Sequence, residues 1–173
     1  MWILLAIFVG LVVLTCLLAL GYPLRGTWER VESGNQSIWE RDRITLNQFG
    51  FLVWGHQNLP AGVHRYWGFC LGPHLFLNRR DYGFQLLKNE GFPEKIIPLV
   101  QGRILMRYRL RLSSDRLTLC GQGIPMKVEF FEESAQIKQI RPVEPVPRSY
   151  QRLELIPARP ETISAGAKPV YDA

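Results

Sequence analysis

Residues 103–112 read RILMRYRLRL, and the fold is decided here. Ile104, Met106, Tyr108, Leu110 and Leu112 alternate with Arg103, Leu105, Arg107, Arg109 and Arg111. Successive side chains of a β-strand point to opposite faces, so one face enters a core and the other displays a row of arginines. Ser113-Ser114 then leads into Asp115-Arg116-Leu117-Thr118-Leu119, with Leu117 and Leu119 inward. That succession reads as a tight hairpin, and antiparallel pairing is expected.

The same rhythm extends to both sides. Segments rich in Trp, Tyr, Phe, Val and Ile recur every ten residues or so between turn signals, the pattern of an all-β sandwich or barrel. Strands are predicted at 27–33, 37–47, 49–57, 63–71, 74–78, 103–112, 115–122 and 125–132. Their breaks are Ser33-Gly34-Asn35, Asn58-Leu59-Pro60-Ala61-Gly62, Gly72-Pro73, Ser113-Ser114 and Gly121-Gln122-Gly123. One interruption, NRRDYGFQLLKNEGFPEKIIPL at 78–99, suits one or two short helices inserted between strands. Asp81 could cap the first, across Tyr82 to Asn89, with a stop near Gly91. From Arg141 onward, Pro142, Pro145, Pro147, Pro157, Pro160 and Pro169 favour extended chain. This tail is too rich in Val, Leu, Ile and Tyr for an inert linker, and it reads as a strap along a partner or along its own domain.

Before the strands, residues 1–22 read MWILLAIFVGLVVLTCLLALGY, without a charged side chain or a proline. As a helix this run is roughly 33 Å long, enough to cross a bilayer. It lacks the basic start and small-residue cleavage site of a signal peptide, and Val13-Leu14-Thr15 before Cys16 suits lipoprotein processing poorly. A retained transmembrane helix is therefore expected. Arg25, Arg30, Arg41 and Arg43 follow it, so the positive-inside rule places the following domain in the cytoplasm, on the inner (cytoplasmic) membrane, single-pass. In a reducing compartment Cys70 and Cys120 would be thiols; the opposite orientation would make them a plausible disulfide. The organisation is then a helix at 1–22, a β domain at 23–140 and a tail at 141–173.

Gly26-Thr27-Trp28, following Pro23, resembles the Gly-x-Trp signature that opens lipocalin-like (calycin) barrels. Tyr66-Trp67-Gly68 to Leu77 and Tyr108 to Phe130 fit the same picture, and DRLTLCGQGIPMKVEF resembles the closing strands of such domains. The resemblance covers residues 24–140 and departs from the family at the insertion of 78–99. It implies an antiparallel up-and-down barrel that can hold one small apolar ligand, and no reaction.

Little in the chain suggests chemistry. His56, His64, Cys70, His74 and Cys120 lack the close pairs of zinc sites, so no metal is expected. Cys70 and Cys120 sit among apolar neighbours and read as packing residues rather than nucleophiles. Glu29, Glu40 and Asp42 stand beside arginines, as an ion-paired rim would. Gly121-Gln122-Gly123 lacks the helix of a phosphate loop. No catalytic residue and no cofactor is assigned, and the chain is not read as an enzyme. Trp28, Trp54, Tyr66 and Trp67 are either barrel core or the lining of a ligand pocket, with His64 and Gln48 as its polar candidates. Arg103, Arg107, Arg109 and Arg111, with Arg79-Arg80 nearby, suit anionic lipid, an acidic partner or a nucleotide ligand, or else an exposed face paired with Glu129 and Glu133. The 21 Lys+Arg against 15 Asp+Glu give a net charge of +6, spread too evenly to suggest nucleic acid.

Two functions follow as expectations. The first is a non-catalytic, membrane-anchored accessory subunit of a larger membrane complex, docking through helix, barrel surface and strap. The second is a membrane-anchored sensor that binds a lipid or nucleotide in the barrel.

Overall fold

The computed structural model describes residues 2–31, 42–131 and 136–153, with the side chains of residues 3 and 15–20 left aside. Helix α1 (Trp2–Leu20) precedes strands β1 (Gly26–Arg30), β2 (Arg43–Phe49), β3 (Leu52–Leu59), β4 (Gly62–Leu71) and β5 (His74–Tyr82). Helices α2 (Phe84–Asn89) and α3 (Ile97–Val100) follow, then β6 (Ile104–Leu112), β7 (Thr118–Phe130), β8 (Ile137–Pro142) and β9 (Val146–Leu153).

Every strand pairs antiparallel. Strands β1 to β7 succeed one another around a ring, and β9 joins β7 back to β1, closing a barrel of eight strands. Closure removes the unpaired edges that an open sheet of this length would expose. Gly68 and Gly121 permit the tight coiling: a Cβ at Gly68 would lie 1.8 Å from the Phe76 carbonyl oxygen, and one at Gly121 2.1 Å from that of Arg109. In the β6–β7 hairpin Leu119 is buried, as expected, whereas Leu117 stays exposed in the turn.

Strand β7 outruns the barrel. Its first half pairs with β9, and its second half pairs with β8 along the same edge, so β7–β8 projects as an arm. The Gly121-Gln122-Gly123 break is therefore no turn: it lies inside one continuous strand. The boundary at 140/141 is also corrected. Strand β8 crosses it, and of the expected strap residues 146–153 lie along the chain's own domain, as the barrel stave β9. Proline is excluded only where its missing N–H is needed; Pro142 ends β8, and Pro147 sits opposite Gln122 near the start of β9. The predicted strand at 37–47 begins only at Arg43 in the described chain, and the tail beyond 153 lies outside the described residues.

Two cores result. The barrel is filled by Leu24, Trp28, Ile44, Leu46, Val53, Tyr66, Leu75, Leu77, Tyr108, Leu110, Leu119 and Tyr150. A second core at the far end joins the insertion to the arm: Leu87, Ile96, Ile97, Val100, Leu105 and Val128, with Phe92, Phe130, Ile137 and Ile140 against them. The insertion is helical, as expected, but Asp81 does not cap it. Strand β5 continues through Tyr82, and Gly83 at φ 128° makes the turn into α2 without a side-chain cap.

Helix α1 enters at the opposite end of the barrel, the helix end. Leu24 plugs that end, its N–H donating to Gln48 Oε1 (2.7 Å) while its carbonyl accepts from Trp28 Nε1 (3.0 Å). The Arg152 guanidinium lies 4.8 Å from the Trp28 ring centroid and donates to the carbonyls of Pro23 and Arg25, tying β9 to the segment that follows α1. Among the described residues no helix is long and apolar enough to cross a membrane. The described side chains of α1 run from Trp2 to Leu14, about 20 Å of helix against a hydrocarbon core of about 30 Å.

Candidate functional site

Alternation along β4 and β5 sends His64 and Tyr66, and Arg79 and Asp81, into the far half of the barrel, beneath α2. His64 pairs with Asp81 in the ladder between the two strands. There Asp81 is wholly buried and accepts from His64 Nδ1 (2.6 Å) and from Arg79 Nη2 (2.6 Å). The same Arg79 nitrogen reaches Glu90 Oε1 (3.0 Å), at the end of α2. A buried carboxylate requires such partners, because desolvation alone would drive it neutral. Burial does push the Asp81 carboxyl upward, but the His64 hydrogen bond and the Arg79 charge outweigh it and hold it below the ordinary range. Glu90 moves the other way, pushed up by burial and then by the Asp81 charge beside it. Burial lowers the Arg79 guanidinium, yet the Asp81 charge leads the groups that raise it on balance.

One ligand atom each from His64, Asp81 and Glu90 lie within 4.8 Å of one another, a spacing that can hold a metal ion. Arg79 argues against it. Its guanidinium already bridges both carboxylates and supplies the cation. The cluster is best described as an ionic lock joining β4, β5 and α2. Next to it, Tyr66 Oη donates to Gln57 Oε1 (3.0 Å), and the Tyr66, Tyr108 and Tyr150 rings succeed one another across the interior at 5.9 and 6.5 Å. Burial raises all three phenols. These groups can pack and hydrogen-bond.

The expected pocket residues do not come together. Trp28 and Tyr66 face the interior, whereas Trp54 and Trp67 face each other across β3 and β4 on the outside, 46% and 48% exposed. The reason is parity: Trp54 and Trp67 fall on the alternate positions to Val53 and Tyr66. Of the polar candidates, His64 joins the lock, and Gln48 bonds at the helix end to Leu24 and Gly50. The arginine row is real. Arg107, Arg109 and Arg111 are exposed along the outer face of β6, while Arg103 lies just before the strand, its Nε donating to the Leu99 carbonyl (3.3 Å). Arg79 and Arg80 part company, because Arg80 faces outward with its guanidinium 5.7 Å from the Trp67 ring centroid. Glu129 does not neutralise the row: it pairs with Arg141 on the arm. The rim reading holds for Glu29 with Arg43 and Asp42 with Arg30; Glu40 and Glu133 lie outside the described residues.

Cys70 is buried and Cys120 exposed on the outer wall, and neither is in a disulfide.

No protein-family model, curated protein or solved structure matches this chain.

The lock was invisible to spacing. Its members are 17 residues apart at His64 and Asp81, and only the β4–β5 register joins them. The available signal was Arg79 and Asp81 two residues apart, hence on one strand face with Leu75 and Leu77.

Proposed function

We propose that this chain is a non-catalytic accessory subunit of a larger membrane complex, anchored by its N-terminal helix. The observation that carries the reading is an inversion of packing. The barrel interior is occupied by the chain's own Trp28, Tyr66, Tyr108 and Tyr150, while large apolar side chains stand exposed on α1 and on the barrel wall. Trp2, Ile7, Phe8 and Leu11 are each more than half exposed in α1. Exposed apolar surface on this scale belongs to proteins that contact a membrane or a partner.

In this reading the whole run 1–22, uncharged throughout and roughly 33 Å long as a helix, crosses the bilayer. Arg25, Arg30, Arg41 and Arg43 then favour a cytoplasmic barrel of lipocalin-like plan. Partner subunits pack on the helix and on the barrel surface. The alternative, a membrane-anchored small-ligand sensor, has less support, since the inward-facing cation Arg79 is committed to Asp81 and Glu90.

The deciding experiment is extraction of the full chain in mild detergent, with its native mass and bound molecules measured. A stoichiometric assembly with membrane subunits is expected. A monomer carrying a small molecule in the barrel would overturn the reading and favour the sensor.

A further inference from the structure

The outer face of β3–β6 is ordered from one end of the barrel to the other. Nearest α1, register places Leu52 beside Phe69 and Phe69 beside Phe76, the last two rings stacked at 5.1 Å, with Phe49 and Leu71 at the adjoining turns. Phe49 is 77% exposed. One alternation further up stand Trp54 and Trp67, and one further again His56, Arg65 and Arg80. Arg111, Arg109 and Arg107 flank the face along β6, level with His74, Phe76 and Asn78, beside the apolar and tryptophan levels. These four strands carry one acidic residue, Asp81, and it points inward.

We propose that the helix end of this face is seated in the headgroup layer of an anionic bilayer. On β3–β5 the succession of apolar, tryptophan and cationic levels follows the polarity profile of a membrane interface, where indole rings collect at headgroup depth, and the β6 arginines border the apolar and tryptophan levels. Arginine stems lie along apolar surface while their guanidinium groups reach phosphates bidentately. Anionic lipid also satisfies the charge: among the described residues, the outward arginines Arg65, Arg80, Arg107, Arg109 and Arg111 have no acidic neighbour on their own face. Continuity with α1 selects lipid over an acidic protein. The Tyr22 ring lies 3.7 Å from where a Cβ of Gly72 would stand, in the β4–β5 turn, and α1 lies against β4. A helix inserted in the bilayer therefore brings the β4 side of the barrel's helix end to the surface. The inference rests on the anchor proposed above and adds what that anchor orients.

The test is tryptophan quenching by brominated phospholipids in nanodiscs carrying the full chain, with and without phosphatidylglycerol. Trp2→Phe reports the anchor, and Trp54→Phe with Trp67→Phe reports the face; the latter two are exposed and tolerate the exchange. In anionic discs the double variant is expected to lose a distinct share of the quench that wild type shows. Replacing Arg107, Arg109 and Arg111 by Gln lowers the ratio of seated to unseated barrel about fivefold per residue. Quenching of Trp2 with none at Trp54 and Trp67 leaves the anchor standing and overturns this proposal; an acidic protein as the true occupant gives that result. Equal quenching in discs without phosphatidylglycerol overturns the anionic requirement. No quenching at any of the three removes both readings.

Discussion

Asp81→Asn is the most informative perturbation of the fold. The carboxylate accepts two charge-assisted hydrogen bonds, from His64 and Arg79, with no exposure to water. Such bonds contribute about 1.5–3 kcal/mol each; an amide of the same shape keeps one weakened bond from the Arg79 cation and one neutral bond of about 1 kcal/mol, and loses the ion-pair attraction to Arg79. The introduced amide would turn its oxygen to Arg79 and its amino group to His64, which can present Nδ1 as an acceptor. Glu90 still partners Arg79, and loss of the neighbouring charge relieves Glu90. The net cost is about 2 kcal/mol, against about 3–5 kcal/mol for Asp81→Ala, which strands a buried guanidinium with one partner. The pH dependence separates this account from a packing effect. The folded Asp81 carboxyl lies below its unfolded value of about 3.9, so its contribution is complete above about pH 5 and is lost as pH falls through the folded value. Urea unfolding in detergent, followed by tryptophan fluorescence at neutral and acid pH, should show a gap between wild type and Asp81→Asn that closes in acid. A gap that persists undiminished to about pH 2, or never exceeds about 0.5 kcal/mol, would refute the ionic lock.

Gly68→Ala places a methyl group 1.8 Å from the Phe76 carbonyl, so the β4–β5 ladder must open; a loss of about 3 kcal/mol, read from the urea midpoint, is expected, and a neutral result would contradict the close approach. Cys120 should react with a water-soluble maleimide in the folded protein while Cys70 does not, because Cys70 is buried and burial pushes its thiol up. Mass mapping of the labelled peptides checks this, and labelling of native Cys70 at the rate of Cys120 would show that the barrel interior is open to water.

Local pattern carried much of the architecture. The alternation at 103–112 placed Tyr108, Leu110 and Leu112 inside and Arg107, Arg109 and Arg111 outside, as observed. The helical insertion was equally legible, since its prolines and irregular apolar spacing fit no strand. What failed was inference from punctuation. Gly121 and Gly123 read as a turn because glycine usually is one, yet Gly121 exists to let β6 and β7 coil past each other. The prolines after 141 read as the end of the domain, yet β9 needs few donors opposite its prolines and closes the ring. Asp81 read as a cap because it precedes a helix, but its partners lie on a neighbouring strand and on its own.

The residues alone determined that this chain would be an antiparallel β domain behind an uncharged apolar segment. Period-two alternation is a property of consecutive residues, and it survives in any sheet. Tertiary structure decided which strands meet. The β4–β5 register sets His64 opposite Asp81, α2 brings Glu90 to them, and closure of the ring through β9 makes the face that carries Tyr66 and Arg79 the inside and the face that carries Trp67 and Arg80 the outside. A strand's two faces are chemically distinct in sequence, but which one meets water depends on how the ring closes.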